Sequence, residues 1–130
     1  MLAAETREWL SRARQDLRAC VALIAAGLPA EALFHAQQCA EKAMKAILTW
    51  HQISFKKTHD LDELKQACLP YAGDATAYLA GIERLSQYAW RFRYPGASYS
   101  PERTEAEEAR RAAGQLFDSI NARLESEFGD

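Results

Sequence analysis

The chain has 130 residues, 26% of them charged, with a formal net charge of −2. That length suits a single domain over 1–130, and 48% hydrophobic residues can build a core without disulfide or metal staples. The near-neutral balance excludes a global field drawing the protein onto nucleic acid or an anionic membrane, and no run of about 18 apolar residues exists to span a bilayer.

The choice of apolar residues sets the fold class. Ala (25) and Leu (14) dominate, whereas Val, Ile and Thr together number 11. Ala and Leu cost least in helices and β-branched residues fit strands, so the chain reads as all-α. The first helix runs from about Ala4 to Ala26, with Trp9, Ala13, Leu17, Cys20 and Ile24 as its apolar stripe. Glu8, Arg12 and Asp16, four apart, are placed to form charge pairs on a wetter face. Gly27 sits at a helix C-cap and Pro29 in the next first turn, so Gly27-Leu28-Pro29 joins antiparallel neighbours.

The second helix, about Pro29 to His51, has apolar residues over roughly half its circumference, including Ala36, Ala40 and Ala43, which admit a close neighbour. Its polar strip of His35, Gln38, Glu41, Lys42 and Lys45 either faces solvent, the ordinary fate of such residues, or lines a groove. Gln52 to Thr58 form a basic loop. Asp60 and Glu63 have capping-box spacing and open a short third helix that Pro70 ends. Gly73-Asp74 opens a long fourth helix with Asp74 as N-cap and Tyr78, Ile82, Leu85 and Ala89 as its stripe. Pro95-Gly96-Ala97-Ser98-Tyr99 cannot continue it. Ser100-Pro101, a capping Ser before Pro at the first helical position, starts the last helix, whose face is Ala109, Ala113, Leu116, Ile120 and Leu124. These elements make a bundle of four long helices plus one short helix.

The catalytic repertoire is sparse. His35, His51 and His59 lack metal-pair spacing, no Gly-rich phosphate loop occurs, and no metal or cofactor is called for. Cys20, Cys39 and Cys68 are odd in number and scattered through apolar patterns, as buried thiols are in a reducing cytoplasm. The N-terminus lacks a signal peptide's basic start and apolar stretch, so a cytoplasmic location is expected. Two polar concentrations remain. In Lys56-Lys57-Thr58-His59-Asp60, capping is the first reading, and an anion held by Lys57 and His59 at the helix entrance is the second. Tyr88 to Pro95 carries Trp90, Arg91, Phe92, Arg93 and Tyr94. On composition alone this stretch suits a protein interface first and a nucleotide or single-stranded RNA surface second.

Together these segments resemble the HEPN family. Phe34-His35-Ala36-Gln37-Gln38-Cys39-Ala40-Glu41-Lys42-Ala43-Met44-Lys45-Ala46 is similar to its second-helix signature. Lys57-Thr58-His59-Asp60-Leu61 resembles its third-helix entrance, Arg93-Tyr94-Pro95 the Arg-Tyr-Pro after its fourth helix, and Trp9, Ala13 and Asp16-Leu17 its opening helix. The resemblance implies an up-and-down bundle, a homodimer, and a prokaryotic protein encoded beside a minimal nucleotidyltransferase, as a nucleotide-binding partner or a toxin in a toxin–antitoxin pair. Many members are ribonucleases with a His about four to six residues after an Arg, the His handling the 2′-hydroxyl or leaving-group proton. No His here follows an Arg at that distance. The expectation is therefore a non-catalytic module for a nucleotide or nucleic acid, with Lys42, Lys45, Lys57, His59, Arg91, Arg93 and Tyr94 as ligand or partner surface. Tyr94 or Trp90 would stack or pack. The alternatives are a ribonuclease that brings His59 and Arg93 together from different helices, and a purely structural dimer partner.

Overall fold

The computed structural model describes residues 2–96 and 99–128; Ala97 and Ser98, in the stretch expected to interrupt helix, lie outside them. Helix α1 (Ala3–Ala25) ends in a Schellman motif: Gly27 N–H reaches Ile24 O, Leu28 N–H reaches Leu23 O, and Gly27 adopts φ +77°. Pro29 then takes the first turn of α2 (Pro29–Trp50), as its fixed φ favours. Helix α2 ends in a second Schellman motif, with Gln52 N–H to Thr49 O and Ile53 N–H to Leu48 O. Here Gln52 itself sits at φ +56°, in the left-handed region. Asp60 caps α3 (Leu61–Cys68) by accepting from the N–H groups of Asp62 and Glu63.

The fourth segment differs from the sequence reading. It consists of a 3₁₀ turn at Gly73–Ala75, one α turn (α4, Thr76–Leu79) and a 3₁₀ stretch at Ile82–Ala89. Ala80 is extended (ψ 119°) and Gly81 left-handed (φ +77°), which interrupts the i→i−4 ladder. The break is held by Arg84, whose N–H and Nε both donate to Gly81 O, at 3.1 and 3.0 Å. Asp74 makes no side-chain cap, and Tyr78 is exposed; Leu79 takes its place in the core. The last helix, α5 (Arg103–Phe128), starts later than Ser100-Pro101 predicts, with Glu102 O accepting its first bond from Ala106 N–H.

Paired residues fix the directions of the limbs. Arg14 meets Asn121 and Arg7 lies over Phe128, so α1 and α5 are antiparallel. Cys39 meets Ala113 O and Trp50 meets Glu127, so α2 and α5 run parallel. Gly73 lies against the Arg123 guanidinium while Tyr88 bonds Glu105, so 73–89 opposes α5. The four limbs α1, α2, 73–89 and α5 alternate, an up-and-down arrangement, with α3 lying parallel to α2 beside it.

Helix α2 is the axis. From Ala36 to Trp50 every residue but Lys42 is buried. Ala36, Ala40 and Ala43 admit the neighbours closely, and α5 presents its expected face of Ala109, Ala113, Leu116, Ile120 and Leu124. The three cysteines are free and buried in this core. Burial pushes the Cys20 thiol up to about 11, Cys68 to about 12, and Cys39 higher still. Among the described residues there is no strand, and no helix is long and apolar enough to cross a membrane.

Candidate functional site

A cleft of about 190 Å³ opens between the first turns of α2 and residues 88–93. Glu31, Phe34 and His35 line one side; Tyr88, Phe92 and Arg93 line the other. The Arg93 guanidinium lies over the Phe34 ring, 4.6 Å from its centroid. The Tyr88 and Phe92 rings stack at an interplanar angle of 18°. Arg91 donates to Gln87 Oε1 and lies over the Tyr99 ring at 4.5 Å. The Tyr88 and Tyr99 hydroxyls both donate to Glu105 Oε2, tying this aromatic wall to α5. Burial, reinforced by the Glu105 carboxylate, holds the Tyr88 phenol well above its usual range, so it stays a neutral donor.

His35 is anchored from behind. Asp16, buried on α1 at 8% exposure, sits 2.8 Å (Oδ1) from His35 Nδ1 and 2.6 Å (Oδ2) from Lys42 Nζ. A carboxylate only accepts, so His35 Nδ1–H and the Lys42 ammonium both donate to it. This corrects the reading of Asp16 as a wet-face partner of Arg12: the Glu8–Arg12 pair forms at 3.0 Å on the surface, while Asp16 turns inward.

A second polar cluster lies two turns further along α2. Glu41, 3% exposed, accepts from Gln37 Nε2 (3.0 Å) and His59 Nδ1 (2.7 Å) on Oε1, and from Lys45 Nζ (2.9 Å) on Oε2. Burial alone would push the Glu41 carboxyl up, but the donors from Gln37, His59 and Lys45 outweigh it and hold it below its ordinary range. The Lys45 ammonium is also flanked by the Trp9 and Phe55 rings, at 5.5 and 5.7 Å. Gln37 Nε2 reaches the His59 carbonyl as well, so this cluster fastens the 51–60 loop to α2.

The expected site residues therefore divide. Arg93 lies in the cleft, and Arg91 stands beside it on the aromatic wall. Tyr94 (69% exposed) and Trp90 (61%) project to solvent on the same stretch. Lys42 backs the cleft through Asp16. Lys57 is exposed on the loop and does not line the cleft. Lys45 is buried in its ion pair and ring cage, so it is not open to a ligand. His59 binds Glu41, whereas Arg93 meets Phe34, so their partners on α2 are seven residues, about 10 Å of helix, apart.

Sequence reasoning missed the pairing of Asp16 with His35 and Lys42. A signal existed: an antiparallel hairpin pivoting between Gly27 and Leu28 places position 16 opposite about position 39, midway between 35 and 42. Tyr88 and Phe92 lie within the aromatic stretch that the sequence singles out, whereas Phe34, a lone aromatic flanking the polar strip of α2, carried no such signal.

A family model described as the HEPN domain matches residues 6–123. Among solved structures, TT1696 from Thermus thermophilus is similar with a TM-score of 0.73 and 29% identity, over 90% of this chain and 96% of that one. The structure of ST0689, an archaeal HEPN homologue, is similar with a TM-score of 0.69 over 92% of this chain and 97% of that one; at 22% identity this is a likeness of fold. No curated protein matches the chain.

Proposed function

The chain belongs to the HEPN domain family, and we propose that within it the chain is a non-catalytic module that binds a nucleotide or nucleic acid. In this reading it acts as a homodimer in the cytoplasm, with a minimal nucleotidyltransferase as partner in a pair of the toxin–antitoxin kind. The observation that carries the binding claim is Arg93 over Phe34 at the edge of a cleft walled by Tyr88 and Phe92. A guanidinium beside aromatic faces suits a phosphate joined to a nucleobase, because the cation meets the phosphate and the rings stack the base. The net charge of −2 makes this a local site rather than a general nucleic-acid coat. The missing Arg-to-His spacing favours binding over cleavage.

Calorimetry with AMP, ATP and a short single-stranded RNA tests the claim. Saturable heat at or below about 1 mM ligand, weakened about tenfold by Arg93→Ala, supports it. No heat with any of the three overturns it, and RNA cleavage by the purified protein overturns the non-catalytic part. Co-purification with a small nucleotidyltransferase encoded beside the chain tests the partnership, and light scattering tests the dimer.

A further inference from the structure

We propose that the cleft holds its ligand by a single phosphate group placed between Arg93 and His35, with Asp16 as the residue that positions His35. This rests on the nucleotide-binding reading and names the ligand class: a nucleoside monophosphate unit, free or as the 5′-phosphorylated end of an RNA strand.

The two nitrogens of the His35 imidazole have different surroundings. Nδ1–H is taken by Asp16 Oδ1 at 2.8 Å, so Nε2 is the nitrogen left for a ligand: in the neutral ring it accepts the hydroxyl proton of a singly ionised phosphate, and in the imidazolium it donates to a phosphate oxygen. The ring itself lines the cleft with Arg93. Asp16 cannot swing away freely, because its other oxygen is held by Lys42 Nζ at 2.6 Å and the residue is buried between α1 and α2. The imidazole is thus oriented before any ligand arrives, which lowers the ordering cost of binding. Lys42 also offsets the Asp16 charge, so the carboxylate behind the ring does not repel an approaching anion.

The charges around the cleft set how much anion it accepts. Asp16 comes from α1, Glu31 and Lys42 from α2, and the neutral Tyr88 and cationic Arg93 from the segment opposite. The fixed cation among the lining residues is Arg93. Glu31 shares the lining, and a second or third phosphate would meet it. A carboxylate there suits ribose hydroxyls, which donate, and disfavours a polyphosphate tail.

Calorimetry on the full chain compares adenosine, AMP and ATP, and a short RNA with a 5′-phosphate against its 5′-hydroxyl counterpart. AMP is expected to bind about tenfold more tightly than adenosine, the scale of a charge-assisted contact, with ATP no tighter than AMP. Tighter binding of the 5′-phosphorylated RNA than of its 5′-hydroxyl counterpart supports the strand end as a ligand, and equal binding overturns that part of the proposal. His35→Gln and Asp16→Asn should each cut the AMP-to-adenosine ratio to about threefold or less. A merely structural loss would lower both ligands together, and thermal melts identify a variant that does not fold. Equal binding of AMP and adenosine, a tenfold preference for ATP, or a ratio unmoved by His35→Gln overturns the inference while the cleft reading stands. A ratio unmoved by a folded Asp16→Asn overturns the positioning role. Absence of binding by every ligand overturns both.

Discussion

Glu41 Oε1, buried on α2, lies 2.7 Å from Nδ1 of His59, whose ring is 67% exposed. The contact fastens an outward-facing histidine to an internal carboxylate that Lys45 and Gln37 also serve. Glu41→Gln leaves the Lys45 ammonium buried without its counter-charge and is expected to cost about 3 kcal/mol at pH 7. The folded-state pKa of Glu41 is lowered, so its contribution is fully present above the unfolded carboxyl value, 4.5, and is lost as pH falls below it. Urea unfolding of the two proteins at pH 7 and pH 3 checks this: the gap between them should narrow in acid.

Lys45→Met separates structure from ligand binding. Lys45 falls on a polar helical strip in sequence, yet the fold encloses it between Trp9, Phe55 and Glu41. The substitution strands the Glu41 carboxylate and should destabilise the protein by about 2–4 kcal/mol. Nucleotide affinity, measured by calorimetry below the melting transition, should change less than about twofold, since Lys45 is remote from the cleft.

Gln52 holds a left-handed backbone, φ +56°, at the position where a Schellman motif favours glycine. Gln52→Gly should relieve that conformation and stabilise the chain by about 0.5 kcal/mol, the strain relief exceeding the greater freedom of the unfolded state. Gln52→Val should destabilise it by about 1 kcal/mol, because a β-branched residue resists this region more. Denaturant midpoints of the three proteins give the order directly.

The thiols should be silent in the native state. Burial raises Cys20 to about 11 and Cys68 to about 12, and Cys39 further. The thiolate is the reacting form, so a maleimide at pH 8 should label none of them within minutes in buffer and all three in denaturant. Mass spectrometry of the labelled chain reads the count.

Much of the fold is legible in sequence because its signals are local. Gly27 and Pro29 sit where a Schellman end and a helix start need them, and Asp60 caps α3 as its spacing with Glu63 suggests. The α5 stripe follows from period alone. The fourth limb reads as continuous because Gly81 lies inside an otherwise helical pattern, and one glycine need not break a helix. Its break depends on Ala80 turning extended and Arg84 bonding back to Gly81 O. The candidate site is legible at Arg93, where basic and aromatic residues cluster in sequence. At Asp16, whose partners lie 19 and 26 residues away, it is legible only through the register of the α1–α2 hairpin and not from local spacing. Nor does the strip on α2 reveal which of its lysines tertiary packing covers.

The centrality of α2 has a consequence for how the chain assembles. The α1–α2 hairpin closes through a short link and joins residues near in sequence, so it can form within the fast regime of local contacts. Helix α5 closes the other side through pairs such as Cys39 with Ala113, 74 positions apart. During synthesis, the alanine-rich flank of α2 that α5 covers remains open until those last 26 helical residues emerge. Docking of the C-terminal helix is then the late step, and a nascent chain stalled before it presents that flank to its neighbours.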